Sequence, residues 1–185
     1  KFLILSLFVI SCETTLQEQK LPDLTFVHLK PIKLNVAKII VEVQYKPTLR
    51  EPNVEHLFPT PPAEALKQWA KDRLLPVGVF GEAKLIIIDA SAVEKQLPQK
   101  EGLAAAFTRQ QSQRYDATVA ARLEINSSHG QGTAMAEVKR FTSVREDATI
   151  NIRERAWFDL TESLARNFDV TLEKNIRMHL SDFLR

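Results

Sequence analysis

The segment Tyr115-Asp-Ala-Thr-Val-Ala-Ala-Arg-Leu-Glu-Ile125 alternates small or apolar side chains with polar ones along most of its length. Successive side chains of a strand point to opposite faces, so this pattern predicts a strand with one buried face. Residues 126–132 have the composition of a turn, and residues 133–144 predict the returning strand. The two strands therefore predict an antiparallel hairpin. Its first strand is expected to bury Ala117, Val119, Ala121, Leu123 and Ile125 and to expose Asp116, Thr118, Arg122 and Glu124.

Two earlier segments also predict strands. Residues 36–45 alternate apolar and polar side chains, which predicts a half-buried strand. Residues 84–94 are rich in β-branched side chains and apolar on both faces in their first half, which predicts a central strand covered on both sides. Asp89 interrupts this apolar run. A proline-rich loop, residues 46–60, and an insert, residues 96–114, lie between the predicted elements.

A helix is predicted to begin at Thr60-Pro61-Pro62, with Thr60 as the N-cap and the prolines in the first turn, where their missing N–H groups need no partner. Pro76 and Gly78 are expected to end it. The apolar side of this helix consists of Ala65, Leu66, Trp69, Ala70 and Leu74. This placement predicts that Trp69 is a core residue, with a ligand-stacking role as the alternative.

Residues 150–184 contain neither glycine nor proline and predict a long helix. Its apolar residues recur at every fourth position: Ile152, Ala156, Leu160, Leu164, Phe168, Leu172, Ile176 and Leu180. At ~100° per residue, each step of four turns this stripe by ~40°, so the apolar face winds around the helix. We expect either a bend near residues 167–169 or a distal half that packs on something other than the sheet. Segment 24–34 and a partner protein are the candidates, and we favour the intramolecular explanation.

These elements predict an α+β fold: a two-layer sandwich with an approximately four-stranded, mostly antiparallel sheet. One mid-chain helix and the long C-terminal helix would lie on one face of that sheet. The predicted domain organisation is a signal peptide over residues 1–11, a lipidated N-terminus and tether over residues 12–35, and a single domain over residues 36–185. Within the tether, segment 24–34 carries enough apolar side chains to lie against the domain.

Composition limits the classes of partner. The formal net charge is only +2 at pH 7, so bulk charge does not favour nucleic acid or another polyanion. The chain has a single cysteine, so no internal disulfide can form and the core must be sufficient alone. A hydrophobic content of 44% is normal for one globular domain.

The sequence offers little evidence of catalysis or of a bound metal or cofactor. Its histidines, His28, His56, His129 and His179, are far apart and have no zinc-type spacing. The run Ser127-Ser128-His129-Gly130 has the composition of a hairpin turn and lacks the pattern of a nucleophile elbow. Asp89 and Glu94 on one strand, and Asp72 beside Arg73 at the end of the first helix, could form an acid pair or part of a salt-bridge network, and we favour the structural role for each. We therefore predict a protein that is not an enzyme.

The N-terminus predicts where in the cell the protein is located. Lys1 precedes the apolar run 2–10, which is followed by Ser11 and Cys12. A helix over these nine residues would be only ~14 Å long, too short to span a bilayer, and the layout is typical of a secretory signal peptide. The element Val9-Ile10-Ser11-Cys12 resembles the bacterial lipobox, which implies cleavage before Cys12 and its modification with fatty acyl chains such as palmitate. The alternative is a chance thiol at the end of an ordinary signal peptide.

With its lipobox, tether and order of elements, the chain resembles small envelope lipoproteins of Gram-negative bacteria. These include the auxiliary lipoproteins of ABC-type lipid transport systems, the YajG-like group and, more distantly, LptE. The resemblance implies a non-enzymatic adaptor or accessory subunit in envelope lipid transport or outer-membrane maintenance, anchored through Cys12 and bound to an envelope protein complex. Glu13 after the cysteine favours the outer membrane, facing the periplasm, over the inner one. Only Cys12 is carried across as a functional residue.

Two other functions stay open at this point. A small periplasmic carrier would bind an acyl chain between the sheet and the C-terminal helix, where alanines could leave an apolar slot. An envelope hydrolase would need a nucleophile and base that the spacing does not show. For the adaptor, the candidate docking surfaces are residues 46–60, residues 96–114 and an exposed sheet edge.

Overall fold

The computed structural model describes residues 20–98, 110–128 and 130–185. In these residues a four-stranded sheet carries both helices on one face, and a two-stranded sheet lies beside it. The elements are β1 (Ile32–Leu34), β2 (Lys38–Val43), α1 (Pro62–Arg73), β3 (Leu74–Pro76), β4 (Glu82–Gln96), β5 (Gln111–Ser127), β6 (Gly130–Arg145) and α2 (Ile150–His179). Single 3₁₀ turns occur at Glu55–Leu57 and Ser181–Phe183. The predicted α+β class and the long C-terminal helix are confirmed.

The main sheet has the strand order β2–β4–β5–β6. The strands β4, β5 and β6 pair antiparallel, whereas β2 pairs parallel with β4 because α1 returns the chain to the same end of the sheet. The smaller sheet pairs β1 parallel with β3. The sheet is thus mixed, and two of its three ladders are antiparallel, as expected.

The predicted hairpin is present, and its inward-facing residues are buried as expected. Both strands extend further than predicted, because the pairing between them continues as far as Ser127 and Gly130. Near the start of β6, a Cβ added to Gly132 would clash with the side chains of Leu180 and Phe183, both of which are buried. The glycine therefore lets the end of the C-terminal helix lie directly on the hairpin.

The strand β4 includes all of the predicted residues 84–94 and extends two residues further at each end. Asp89 interrupts the apolar run but not the strand: the register shifts between Ile87 and Asp89, and pairing continues to Gln96. The shift is a β-bulge, which absorbs one extra residue without ending the ladder. The predicted cover on both faces is incomplete, since both helices pack on the inner face. On the outer face Ile86 is nevertheless buried, and its neighbours in register are Glu42 and Arg122.

The ends of α1 are shifted from their predicted positions. The helix begins at Pro62, and Pro61 occupies the N-cap with extended backbone angles instead of Thr60. A residue that precedes proline is disfavoured in the helical region, which explains why only the second proline is helical. At the other end, the helix stops at Arg73 because residues Leu74–Pro76 pair with β1.

The helix α2 runs without interruption over 30 residues, and the Thr149 hydroxyl accepts a hydrogen bond from the N–H of Ile152. The distal stripe packs within the chain, which confirms the intramolecular explanation. Leu34 forms an isolated bridge with Leu184, and the N–H of Asn35 donates to the carbonyl of Phe183 at 2.8 Å. The start of the stripe is less buried than predicted, with Ile152 50% exposed.

Candidate functional site

The predicted lipidation site, Cys12, lies outside the described residues, so its modification stays a prediction. Lys20, the first described residue, follows it by eight residues. At no more than ~3.6 Å per residue, an anchored Cys12 would hold Lys20 within ~29 Å of the membrane surface. In the part of the chain that the structure describes, no helix is both long enough and apolar enough to cross a bilayer.

The residues singled out for chemistry do not converge. His28 and His179 are exposed on different elements, His56 is half-buried, and His129 lies outside the described residues. Among residues 20–98, 110–128 and 130–185, no three metal-ligating side chains lie close enough to hold a metal ion. The described part of the Ser127–Gly130 run forms the end of the hairpin.

The acidic residues on β4 are held by local contacts. The Asp89 carboxylate accepts a hydrogen bond from the N–H of Ser91 at 3.0 Å. The Glu94 carboxylate accepts one from the side-chain amide of Gln96 at 3.1 Å. These contacts are consistent with the structural interpretation of both residues.

Asp72 and Arg73 have separate partners, and only Arg73 is part of a network between the helices. Arg73 is only 2% exposed, and its Nε donates to Asp169 at 2.6 Å while its terminal nitrogen pairs with Glu173. The indole N–H of Trp69 donates to the same Asp169 oxygen at 2.8 Å. The Asp72 carboxylate accepts from the backbone N–H of Phe26 at 2.8 Å. The network fixes α1 on α2, and Trp69 is a buried core residue, as predicted.

The interface between α2 and the sheet is closed in the described structure. Leu164, Phe168 and Leu172 on the helix are at most 1% exposed, and so is Ala121 on the facing strand. A slot that admitted water or an acyl chain would leave accessible area on the side chains that line it. The small alanine side chains of the sheet allow the helix to pack close to it. No slot for an acyl chain remains between these residues.

The free edge of β2 is the clearest unpartnered feature of the described residues. The N–H of Gln44 donates to the carbonyl of Ile87 at 2.9 Å. In a parallel ladder the backbone groups of alternate residues point to the same neighbour, so those of Ile40 and Glu42 also face β4. The N–H and C=O groups of Ile39, Val41 and Val43 therefore point away from the sheet, where no described residue pairs with them.

The helix α2 lies against the opposite edge of the sheet, since it packs on the edge strand β6. The Asn175 side chain of that helix donates to the backbone carbonyl of Met135 at 2.7 Å, and the Arg140 side chain donates to the Asn167 side chain at 2.8 Å. A side chain of α2 thus occupies one backbone carbonyl at this edge, and β2 has no such contact among the described residues.

An apolar groove adjoins the open edge. We call it the β2 groove: a cavity of about 350 Å³ between β2 and the start of α1, with Val43, Tyr45, Ala63 and Lys67 in its lining. On the same face, Val41 is 38% and Val43 36% exposed, so neither is sealed by α1. The groove therefore places partly exposed apolar side chains directly beside unpaired backbone groups.

The floor of the β2 groove is held rigidly. The Tyr45 hydroxyl donates to the Glu55 carboxylate at 2.7 Å, and the other oxygen of Glu55 accepts from the N–H of Ala92 at 3.2 Å. Burial raises the pKa of Tyr45 above its ordinary value, and the hydrogen bond and charge of Glu55 raise it further. Tyr45 thus stays a protonated donor at neutral pH and anchors the loop that follows β2.

A second cavity, which we call the upper cleft, has a volume of about 530 Å³. It lies between residues 49–57, the last residues of β4, the first residues of β5 and the start of α2. The Nε of Arg153, the Nε1 of Trp157 and the Nδ1 of His56 are buried there without a hydrogen bond. Beside the cleft, burial raises the pKa of Tyr115 to about 12, and the Glu94 charge acts in the same direction. Ordered water satisfies such groups as well as ligand oxygens do, so the cleft selects no ligand class.

Sequence reasoning did not find the β2 groove or the upper cleft. The alternation of residues 36–45 predicted a strand but gave no sign that it would lie at an edge. The residues that line the groove come from β2, the following loop, α1 and β4, and no motif links them. The exposed sheet edge proposed as a docking surface is present, and it is the edge of β2.

Comparison with known proteins gives only distant likenesses. No family model matches the chain, and no curated protein sequence matches it. Among solved structures it is similar to rare lipoprotein B from Shewanella oneidensis, with 7% identity, a TM-score of 0.35, and coverage of 74% of this chain and 92% of that one. It is also similar to a minor lipoprotein from Acinetobacter baumannii, with 15% identity, a TM-score of 0.36, and coverage of 74% and 93%. At these scores the likeness assigns no function to this chain.

Proposed function

We propose that this protein is a lipid-anchored lipoprotein of the Gram-negative cell envelope. Acyl chains on Cys12 hold it to a membrane, the outer membrane facing the periplasm in preference to the inner one. There it acts as a non-enzymatic adaptor or accessory subunit in envelope lipid transport or outer-membrane maintenance. The anchor is supported by the basic residue, short apolar run and Val9-Ile10-Ser11-Cys12 element at the N-terminus.

The open edge of β2 beside the β2 groove is the observation that carries the adaptor role. A folded domain gains stability by pairing its strand edges or covering them, and uncovered edges are sites of association with other chains. Here a side chain of α2 occupies a backbone carbonyl at the other edge, while β2 combines unpaired backbone groups with half-exposed valines. This arrangement suits a protein that docks on another protein.

The closed interface beneath α2 argues against the acyl-carrier alternative. That function needs an apolar slot between the sheet and the helix, and the side chains described there are at most 1% exposed at the centre of the interface. A carrier would have to hold its cargo elsewhere. We therefore propose the adaptor alone.

The anchor is tested by mass spectrometry of the protein purified from membranes. We expect the N-terminal peptide to begin at Cys12 and to carry diacylglycerol, and labelled palmitate to enter the wild-type chain but not a Cys12→Ser variant. The serine variant is the matched control because it changes only the atom that would carry the thioether. An unmodified Cys12 thiol, or a mature chain that begins elsewhere, would refute the anchor.

The adaptor role is tested by cross-linking in intact cells and quantification of co-purified proteins, with wild type compared with Cys12→Ala. A wild-type complex of fixed stoichiometry that is lost in the variant supports the role. If wild type is recovered without any stoichiometric protein neighbour, the adaptor role is wrong.

A further inference from the structure

We infer that β2 accepts an extended segment of a partner protein as an added strand of the main sheet, with apolar side chains of that segment seated in the β2 groove. The inference rests on the proposed function and specifies how the partner docks. It follows from the backbone at the open edge, from the side chains on each side of that edge, and from the contact area that one short strand provides.

The backbone determines the shape of the occupant. Ile39, Val41 and Val43 together present three N–H and three C=O groups in a row along one line. An extended chain offers donors and acceptors at the same spacing, since neighbouring strands repeat every second residue. A partner helix satisfies its own backbone groups, and an acyl chain has none to offer. An extended peptide is therefore the occupant that matches these unpaired groups.

The side chains define its sequence. Ile39, Val41 and Val43 share the helix-facing side with the β2 groove, because their register partners on β4 are buried against the helices. Every second side chain of an added strand would point to this side and contact the groove. Those positions are expected to be apolar.

The side of β2 that faces away from the helices has a different chemistry, and it determines the remaining side chains of the partner segment. Here β2 presents Lys38, paired with Glu82 at 2.8 Å, and Glu42, which lies 3.6 Å from Lys84. Between them lies Ile40, which is 37% exposed. Both ion pairs are internally neutral, so they attract neither sign of charge. The partner's side chains that face this side are expected to be uncharged. The partner segment is thus about six residues long, the length of β2, with apolar residues at every second position.

The small area that one added strand buries favours a partner protein that makes further contacts, and it argues against a homodimer of this chain held by this strand alone. Stable dimers bury on the order of 1,200–2,000 Å² or more, and one six-residue strand supplies only a fraction of that area. An adaptor fixed to a membrane can bind its partner through a smaller contact area, because anchoring raises the effective concentration of its partner. We therefore assign the edge to a different protein at the membrane.

Hydrogen exchange of single backbone amides tests this directly, on the full chain purified with its membrane complex and on the same chain freed of partners. The amides of Ile39, Val41 and Val43 are expected to exchange quickly in the free protein and at least tenfold more slowly in the complex. The amides of Ile40 and Glu42 face β4 and are expected to be protected in both states, so they serve as internal controls. Only strand addition produces this alternation.

A pair of variants gives an independent readout. Val41→Pro removes an outward N–H while leaving the β4 ladder intact, and Val41→Thr keeps both the N–H and the shape. We expect Val41→Pro to lower partner recovery about tenfold, which corresponds to about 1.4 kcal/mol, and Val41→Thr to change it less than about twofold. If Val41→Pro does not fold, the exchange experiment on wild type decides.

The outcomes separate the inference from the proposed function. A stable complex whose Ile39, Val41 and Val43 amides stay unprotected overturns strand addition and leaves the adaptor role intact. Protection caused by a second copy of this chain overturns the assignment to a different partner. The absence of any complex in wild type overturns the adaptor role and the inference together.

Discussion

At the scale of single residues, the contact between the two helices depends on a buried charge. Arg73 Nε lies 2.6 Å from Asp169, whose same oxygen accepts the Trp69 indole N–H at 2.8 Å. Asp169→Ala would leave both donors without this partner in a dry interface, and breaking a buried pair costs about 3–5 kcal/mol. Urea denaturation is expected to show that loss. Glu173→Gln is the control and should cost clearly less, because Glu173 is 27% exposed and Arg73 keeps Asp169. Equal losses would contradict this account.

A second residue, Asp116, links stability to pH. Burial alone would raise the pKa of this carboxyl, but hydrogen bonds from Lys95 and Arg114, both at 2.8 Å, lower it below its ordinary value of 3.8. A lowered folded-state pKa contributes stability above the unfolded value and loses it as pH falls through the folded one. Asp116→Asn should therefore destabilise by up to about 1 kcal/mol at pH 7, with the difference shrinking as the pH falls below 3.8. Urea titrations across this range test it, and a difference that persists in acid would refute it.

At the scale of secondary-structure elements, local patterns predicted what local physics determines. The alternation along β5 predicted its buried face correctly, and the winding stripe of α2 indicated that its distal half packs within the chain. The end of α1 could not be predicted, because Leu74–Pro76 pair with a strand some forty residues earlier, at Ile32–Leu34. The Arg73–Asp169 contact spans 96 residues, and no local spacing indicates it.

The candidate site, the open edge of β2, could not be predicted from the sequence for a related reason. A strand at the edge of a sheet and a strand in its middle can share the same alternation, since the pattern reports the faces and not the edges. Only the strand order shows that β2 lies at an end of the sheet, and only the packing of α2 on β6 shows that the helix lies against the opposite edge. From the sequence, an exposed edge was one of several options and could not be assigned to β2.

The alternation of backbone direction in β2 makes an element-level prediction about stability. Val41→Pro removes an N–H that points outward, so the free energy of unfolding should change by less than about 1 kcal/mol. Glu42→Pro, one residue later, removes an N–H that faces β4 and leaves a buried carbonyl unpaired, which should cost about 1–3 kcal/mol. Thermal and urea unfolding of both variants measure the difference. Comparable effects at the two positions would show that the ladder is oriented differently.

At the scale of the whole molecule, the question is where the folded domain begins. The sequence prediction starts it at residue 36, but the core includes Phe26, Ile32 and Leu34, each at most 5% exposed. Backbone hydrogen bonds also tie segment 33–35 to the last residues of the chain. A chain that begins at Lys20 keeps all of these contacts and is the control. A chain that begins at Val36 loses three large buried side chains, at about 1.5–3 kcal/mol each, which approaches the entire stability of a domain. Urea denaturation and circular dichroism of the two truncations compare them, and a folded chain that begins at Val36 would place the boundary where the sequence predicts it.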